Sequence, residues 1–100
     1  MSHQPMSTPV CKLVRIKAQP GLADRLHQAL MVLETATRRE VGCVEFAFFR
    51  ALSDQESFVL LEHFVDEAAL VHHMAQPHTR EFFAAQLVAS VKAIDVSAVA

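Results

Sequence analysis

The sequence contains no tryptophan, tyrosine or asparagine, and its seven aromatic residues are all phenylalanine. It has only two glycines, Gly21 and Gly42, so it cannot form the glycine-rich loops that hold nucleotide and flavin phosphates in Rossmann and Walker sites. Its two cysteines, Cys11 and Cys43, are too few for a disulfide framework or a CxxC zinc site. Both have apolar neighbours, so we expect small buried side chains and not nucleophiles.

An excess of positive charge is also missing, since Lys and Arg number 9 against 11 for Asp and Glu, for a net charge of −2. Without a basic excess, nucleic acid is not an expected partner. No apolar run approaches the ~20 residues that span a bilayer, and the N-terminus has neither the cationic nor the apolar region of a signal peptide. We therefore expect a cytoplasmic protein with no membrane partner.

What the sequence does have is a large share of hydrophobic residues, 52% of 100, which is enough to form the core of one domain. Residues 1–9 carry two prolines and no apolar periodicity, so we expect a flexible N-terminal tail followed by one domain over residues 10–100. The hydrophobic patterns predict strand 10–18, a helix from Leu22, strands 44–50 and 57–65, helices 66–75 and 78–89, and strand 91–98. The order β-α-β-β-α-β predicts the ferredoxin-like fold of the α+β class, with a four-stranded antiparallel sheet.

Both faces of the predicted sheet carry hydrophobic residues. In strand 57–65, one face has Phe58, Leu60 and Phe64, and the other has Val59, Leu61 and Val65. The helices cover only one face, and an uncovered apolar side chain loses ~1.5–3 kcal/mol of burial free energy. We therefore predict a homodimer in which two sheets pack face to face.

Two polar residues fall on the apolar faces of these elements and are candidates for catalysis. Glu62 lies between Leu60 and Phe64 on one strand face, and His73 shares a helix face with Leu70. A pocket between sheet and helices could bring the two together, with His73 as a general base and Glu62 fixing its tautomer. The same pair could equally be a satisfied polar pair without catalytic function.

A metal site is the third possibility for the polar cluster of Glu62, His63, His73 and His78. Adjacent residues of a strand point to opposite faces, so Glu62 and His63 are not expected to bind one ion together. We therefore predict neither a metal nor another cofactor. The phenylalanines are expected chiefly in the core, although Phe82 or Phe83 would suit the wall of a pocket for a flat aromatic ligand.

Several segments together resemble the antibiotic biosynthesis monooxygenase family over about residues 10–90. They are Pro20-Gly21 before the first helix, Gly42-Cys-Val-Glu-Phe46, Glu62-His-Phe-Val-Asp-Glu-Ala-Ala-Leu70 and His73-Met-Ala-Gln-Pro-His78. The resemblance implies a dimeric α/β barrel and a cofactor-independent oxygenation, by dioxygen, of a small aromatic quinol or a hydroxylated polycycle. By position, Glu62 and His73 match the family's polar residues and are assigned to catalysis, and His78 matches its second histidine. We assign His78 and Phe64, together with Phe82 and Phe83, to substrate binding.

The chain departs from the family pattern where Phe64 replaces the usual tryptophan. Because the haem-degrading relatives use an asparagine and a tryptophan, haem breakdown is not expected. Two other functions remain open: a proton-transfer isomerase of a small, possibly phosphorylated hydroxy-ketone, and a dimer that binds a small ligand without turnover. Arg15, Lys17 or Arg80 in the pocket would favour a phosphorylated or carboxylated ligand.

Overall fold

A computed structural model describes residues 8–96 of the chain. Residues 1–7 of the predicted tail and residues 97–98 of the predicted last strand lie outside this range. The elements are β1 (Val10–Ala18), α1 (Ala23–Thr37), β2 (Cys43–Arg50), β3 (Ser57–Phe64), α2 (Glu67–Ala75), α3 (Pro77–Ala84) and β4 (Val88–Asp95). None of the helices within residues 8–96 has both the length and the apolar character needed to cross a membrane.

The four strands form one sheet in the order β2-β3-β1-β4, and every neighbouring pair is antiparallel. This arrangement confirms the predicted ferredoxin-like fold. In β3, burial alternates residue by residue, so Phe58, Leu60, Glu62 and Phe64 are buried. These residues form the inner face, which packs against the helices.

The turn between β2 and β3 is fixed by the side chain of Asp54. Its carboxylate accepts hydrogen bonds from the Ser57 hydroxyl at 2.6 Å, the Glu56 backbone N–H at 3.0 Å and the Lys17 ammonium at 3.1 Å. These bonds stabilise the ionised form and lower the pKa of Asp54 to about 2. The turn thus keeps its charged hydrogen-bond acceptor well into acid.

Near the C-terminus, the predicted boundaries are wrong by several residues. The last helix ends at Ala84 and β4 begins at Val88, not at residues 89 and 91. Gln86 has a positive φ of 53°, which a right-handed helix cannot contain. Val88 then pairs with Ala18 at the end of β1, so strand pairing outweighs the local helical pattern.

Helix α2 is held at both its start and its side. Asp66 caps it by accepting a hydrogen bond from the Ala69 backbone N–H at 2.8 Å. Gly42, just before β2, faces Ala69 so closely that an added Cβ would overlap the Ala69 Cβ. Glycine at position 42 therefore allows α2, which carries His73, to lie close against the turn that leads into β2.

The outer face of the sheet mixes apolar and charged side chains. Phe49 is 57% exposed and Ile94 is 41% exposed, whereas Val59 and Leu61 are half-buried. Cys11 is buried, and Cys43 is only half-buried. Burial raises the pKa of the Cys43 thiol, which favours its protonated form.

Candidate active site

A cavity of about 340 Å³ lies between the inner face of the sheet and the three helices. Hydrophobic side chains make up most of its wall, including Phe46 and Phe48 from β2 and Phe82 and Phe83 from α3. The polar or charged residues lining it within residues 8–96 are Lys12, Glu62, His73 and Thr79. This apolar cavity with a few polar groups is the usual form of a small-molecule site.

His73 lies on the inner side of α2, where it is only 4% exposed. Its ring packs against Phe46 and Phe64, with centroid distances of 5.2 and 5.1 Å. The Nδ1 atom lies 2.9 Å from Oε2 of Glu40, in the turn after α1. When Glu40 is ionised it can only accept, so Nδ1 carries the proton and Nε2 is the basic nitrogen.

The carboxylate that fixes the tautomer of His73 is therefore Glu40, and the predicted pairing of His73 with Glu62 is wrong. Glu62 does line the same cavity as His73, as the strand alternation predicts. The pairing differs because the turn after α1 brings Glu40 within hydrogen-bond distance of Nδ1 of His73, and Glu40 does not line the cavity.

The predicted substrate-binding residues divide into two groups. Phe82 and Phe83 line the cavity, and their ring centroids are 5.6 Å apart. Phe64 and His78 do not belong to its wall. Phe64 is fully buried behind His73, and His78 places its Nε2 atom 2.6 Å from Oε2 of Glu40. In this structure, both support His73 from outside the cavity.

Glu62 is buried on the cavity wall, beside Lys12 on the neighbouring strand, where the two are direct cross-strand partners. Burial raises the pKa of the Glu62 carboxyl, and the nearby Lys12 ammonium partly opposes this shift. A carboxyl group with a raised pKa can hold or release a proton closer to neutral pH than an exposed one. Glu62 is therefore a second candidate acid or base.

Glu62 should make the stability of the fold depend on pH. Because the folded state holds this proton more tightly, the free energy of unfolding falls as the pH rises from the ordinary value of 4.5 through the folded pKa. We expect Glu62→Gln to remove this fall and to gain stability relative to the unmodified chain toward neutral pH. Urea unfolding at several pH values across this range measures the free energy of unfolding. Glu45→Gln, which removes a carboxylate at an exposed position, is the control. Parallel curves for the unmodified chain and Glu62→Gln would contradict the assignment.

Three residues at the site were not predicted: Glu40, Lys12 and Thr79. Lys12 had a signal in the sequence, because it alternates with Val10 and Val14 and so shares their inner face. Glu40 had none, since it lies in a turn 33 residues before His73. The cations considered from the sequence, Arg15, Lys17 and Arg80, do not line the cavity.

Comparison with known proteins places this chain in a family. The sequence profile of the antibiotic biosynthesis monooxygenase domain matches residues 9–85. The chain belongs to the antibiotic biosynthesis monooxygenase family. As a member, it matches the crystal structure of PA3566 from Pseudomonas aeruginosa with 30% identity and a TM-score of 0.85, covering 93% of this chain and 96% of the other.

Two further relatives share a smaller part of their sequence with this chain. A crystal structure of an antibiotic biosynthesis monooxygenase shares the fold at 21% identity and a TM-score of 0.80, covering 87% of this chain and 95% of the other. An uncharacterized Synechocystis protein, sll1783, is 26% identical over 74 residues, which are 74% of this chain. The match spans 50% of that longer protein.

Proposed function

We propose that this chain is a cofactor-independent monooxygenase that oxidises a small aromatic quinol or a hydroxylated polycycle with dioxygen. The observation that carries the proposal is the apolar cavity that meets the buried imidazole of His73, whose Nδ1 is held by Glu40. An aromatic ligand suits the walls formed by Phe82 and Phe83, and a phenolic hydroxyl suits a basic ring nitrogen. Family membership supports oxygenation as the type of reaction.

The reaction begins with deprotonation of a phenolic hydroxyl by Nε2 of His73. The electron-rich phenolate transfers an electron to dioxygen, and the two radicals combine so that a C–O bond forms at a ring carbon bearing hydrogen. The imidazolium returns its proton to the distal oxygen, which gives a hydroperoxide. Loss of the ring C–H proton then breaks the O–O bond and releases water, so one oxygen atom stays in the quinone and the other leaves.

The protein contributes a proton acceptor and an environment with little water. Glu40 stabilises the imidazolium that forms when His73 accepts the phenolic proton. The hydrophobic wall offers few polar groups that could hold water beside the phenolate and the peroxide. Glu62, with its raised pKa, and Lys12 are placed to bind a second oxygen of the substrate.

Dioxygen uptake with hydroquinones of one, two and three rings tests the proposal. We expect uptake faster than autoxidation for at least one ring size, and isotopically labelled dioxygen should place one labelled atom in the quinone. Uptake equal to autoxidation across the panel would overturn it. Anaerobic turnover of a hydroxy-ketone would then identify an isomerase, and saturable binding without turnover a binding protein.

We also propose that two copies of the chain pair through the outer faces of their sheets. Phe49 is more than half exposed on that face, and Ile94 lies exposed on β4. Burial of each such side chain contributes ~1.5–3 kcal/mol. A sheet-to-sheet homodimer covers both, in agreement with the dimeric α/β barrel expected of the family.

A charge at Phe49 should separate the two copies. We expect light scattering to give a dimer for the unmodified chain at micromolar concentration and a monomer for Phe49→Asp. The matched control is Val32→Asp, which places the same charge at an exposed apolar position on α1 and should leave the dimer intact. A monomeric unmodified chain would refute the sheet-to-sheet dimer.

A further inference from the structure

Three side chains that can bind metal ions converge behind the cavity. Glu40, His73 and His78 each offer one ligand atom, and these atoms all lie within 4.8 Å of one another. They come from three different elements, namely the turn after α1, helix α2 and helix α3. Residues alternate between the two faces of β3, which argues against a metal site that contains both Glu62 and His63. The same argument does not apply to Glu40, His73 and His78, because they come from different elements.

The carboxylate of Glu40 is incompletely satisfied by its present partners. Its Oε2 atom contacts Nδ1 of His73 at 2.9 Å and Nε2 of His78 at 2.6 Å. Its Oε1 atom is buried and has no hydrogen-bond partner, and the whole side chain is only 6% exposed, so bulk water does not reach it freely. A buried carboxylate oxygen without a partner is costly, so the site favours an additional positively charged ligand.

Two threonine hydroxyls belong to the same region of the fold as these three residues. Oγ1 of Thr79 lies 3.4 Å from Nδ1 of His73. Oγ1 of Thr37, one turn before Glu40, is also buried without a partner. Two buried oxygen atoms of this region therefore lack the hydrogen bonds that buried polar groups normally make.

From this arrangement we infer that Glu40, His73 and His78 form a binding site for a divalent first-row transition-metal ion of the zinc class. Two imidazoles and one carboxylate suit such ions, and a His₂Glu set leaves a coordination position open. Ligand bonds of about 2.0–2.2 Å place neighbouring ligands of a tetrahedral ion about 3.4 Å apart, so each ring nitrogen has to move away from Oε2 of Glu40 by less than about 1 Å when the ion enters. The ion replaces the protons that now lie between Glu40 and the two rings.

His73 cannot bind the metal ion and act as the proposed base at the same time. A metal bond at Nδ1 of His73 requires its remaining proton to reside on Nε2, the nitrogen that must be unprotonated to accept a proton from a phenol. The metal-bound form and the catalytic form of Glu40, His73 and His78 are therefore alternatives. The inference about metal binding does not depend on the proposed oxygenation, because binding is measured without substrate.

Calorimetric titration of the EDTA-treated full chain with Zn²⁺ alone tests the site. We expect one equivalent to bind with release of protons, and Co²⁺ in its place should give the absorption bands of a site with nitrogen and oxygen ligands. Glu40→Gln and His78→Gln should each weaken the Zn²⁺ affinity by more than about tenfold. Both replacements preserve approximate size, and circular dichroism checks that they fold.

His72→Ala is the matched control, since this histidine is next to His73 but exposed on the other side of α2. Its Zn²⁺ affinity should equal that of the unmodified chain. Absence of Zn²⁺ binding would overturn the inference, and so would binding that survives in His78→Gln but is lost in His72→Ala. Oxygenase activity can be present or absent in either case, so failure of this site is distinguishable from failure of the proposed function.

Discussion

Replacing His73 with alanine is expected to lower kcat for quinol oxidation by about 10²–10⁴-fold, the usual contribution of a general base. The reason is that Nε2 is the proton acceptor of the proposed reaction and Glu40 holds its ring in place. Dioxygen uptake under saturating substrate measures the effect. His72→Ala, on the exposed side of the same helix, should retain the activity of the unmodified chain.

Because His73 is buried, the alanine variant could lose activity through unfolding alone. His73→Gln preserves polarity and most of the volume, and it should fold yet show a comparable loss of kcat. Glu40→Gln tests the positioning of the ring: the imidazolium that forms on proton transfer loses its anionic partner, so kcat should fall while the chain stays folded. Folded His73→Gln and Glu40→Gln variants with unchanged kcat would remove His73 from the mechanism.

The fold could be predicted from the sequence because its signals are local and periodic. The stripe of Leu26, Leu30 and Leu33 forms the buried face of α1, and the alternation in β3 places Glu62 on the inner face. The C-terminal boundaries could not be predicted, since β4 begins where β1 offers a pairing partner for Val88. A non-local contact decided that boundary.

The candidate site could be predicted only in part, for a related reason. That His73 faces inward follows from helical spacing, and that Phe82 and Phe83 line a cavity follows from composition. The partner of His73 depends on how a turn 33 residues earlier packs behind α2, and no periodic pattern encodes that distance. Substrate binding by His78 and Phe64 stays a prediction: both lie beside His73 but outside the cavity wall, and family position indicates only proximity to the site.

Replacing Phe64 with alanine is expected to lower the free energy of unfolding by about 3–5 kcal/mol, a large part of the stability of a domain this small. Phe64 is 0% exposed, and its ring lies 6.2 Å from that of Phe46 and 5.1 Å from that of His73. The variant therefore loses the burial of an aromatic ring and leaves a void in the core. Urea unfolding at fixed pH measures the change.

The same loss should disturb the site through the support that Phe64 gives to His73. Phe64→Leu refills most of the void, so we expect a smaller loss of stability and a folded chain in which kcat can be measured. Phe83→Ala is the matched control, because this ring is 55% exposed and its removal should cost less stability. If Phe64→Ala and Phe83→Ala destabilise the chain equally, Phe64 is not the buried support that the structure shows. If Phe64→Leu lowers kcat while unfolding at nearly the same urea concentration, the ring acts by holding the imidazole.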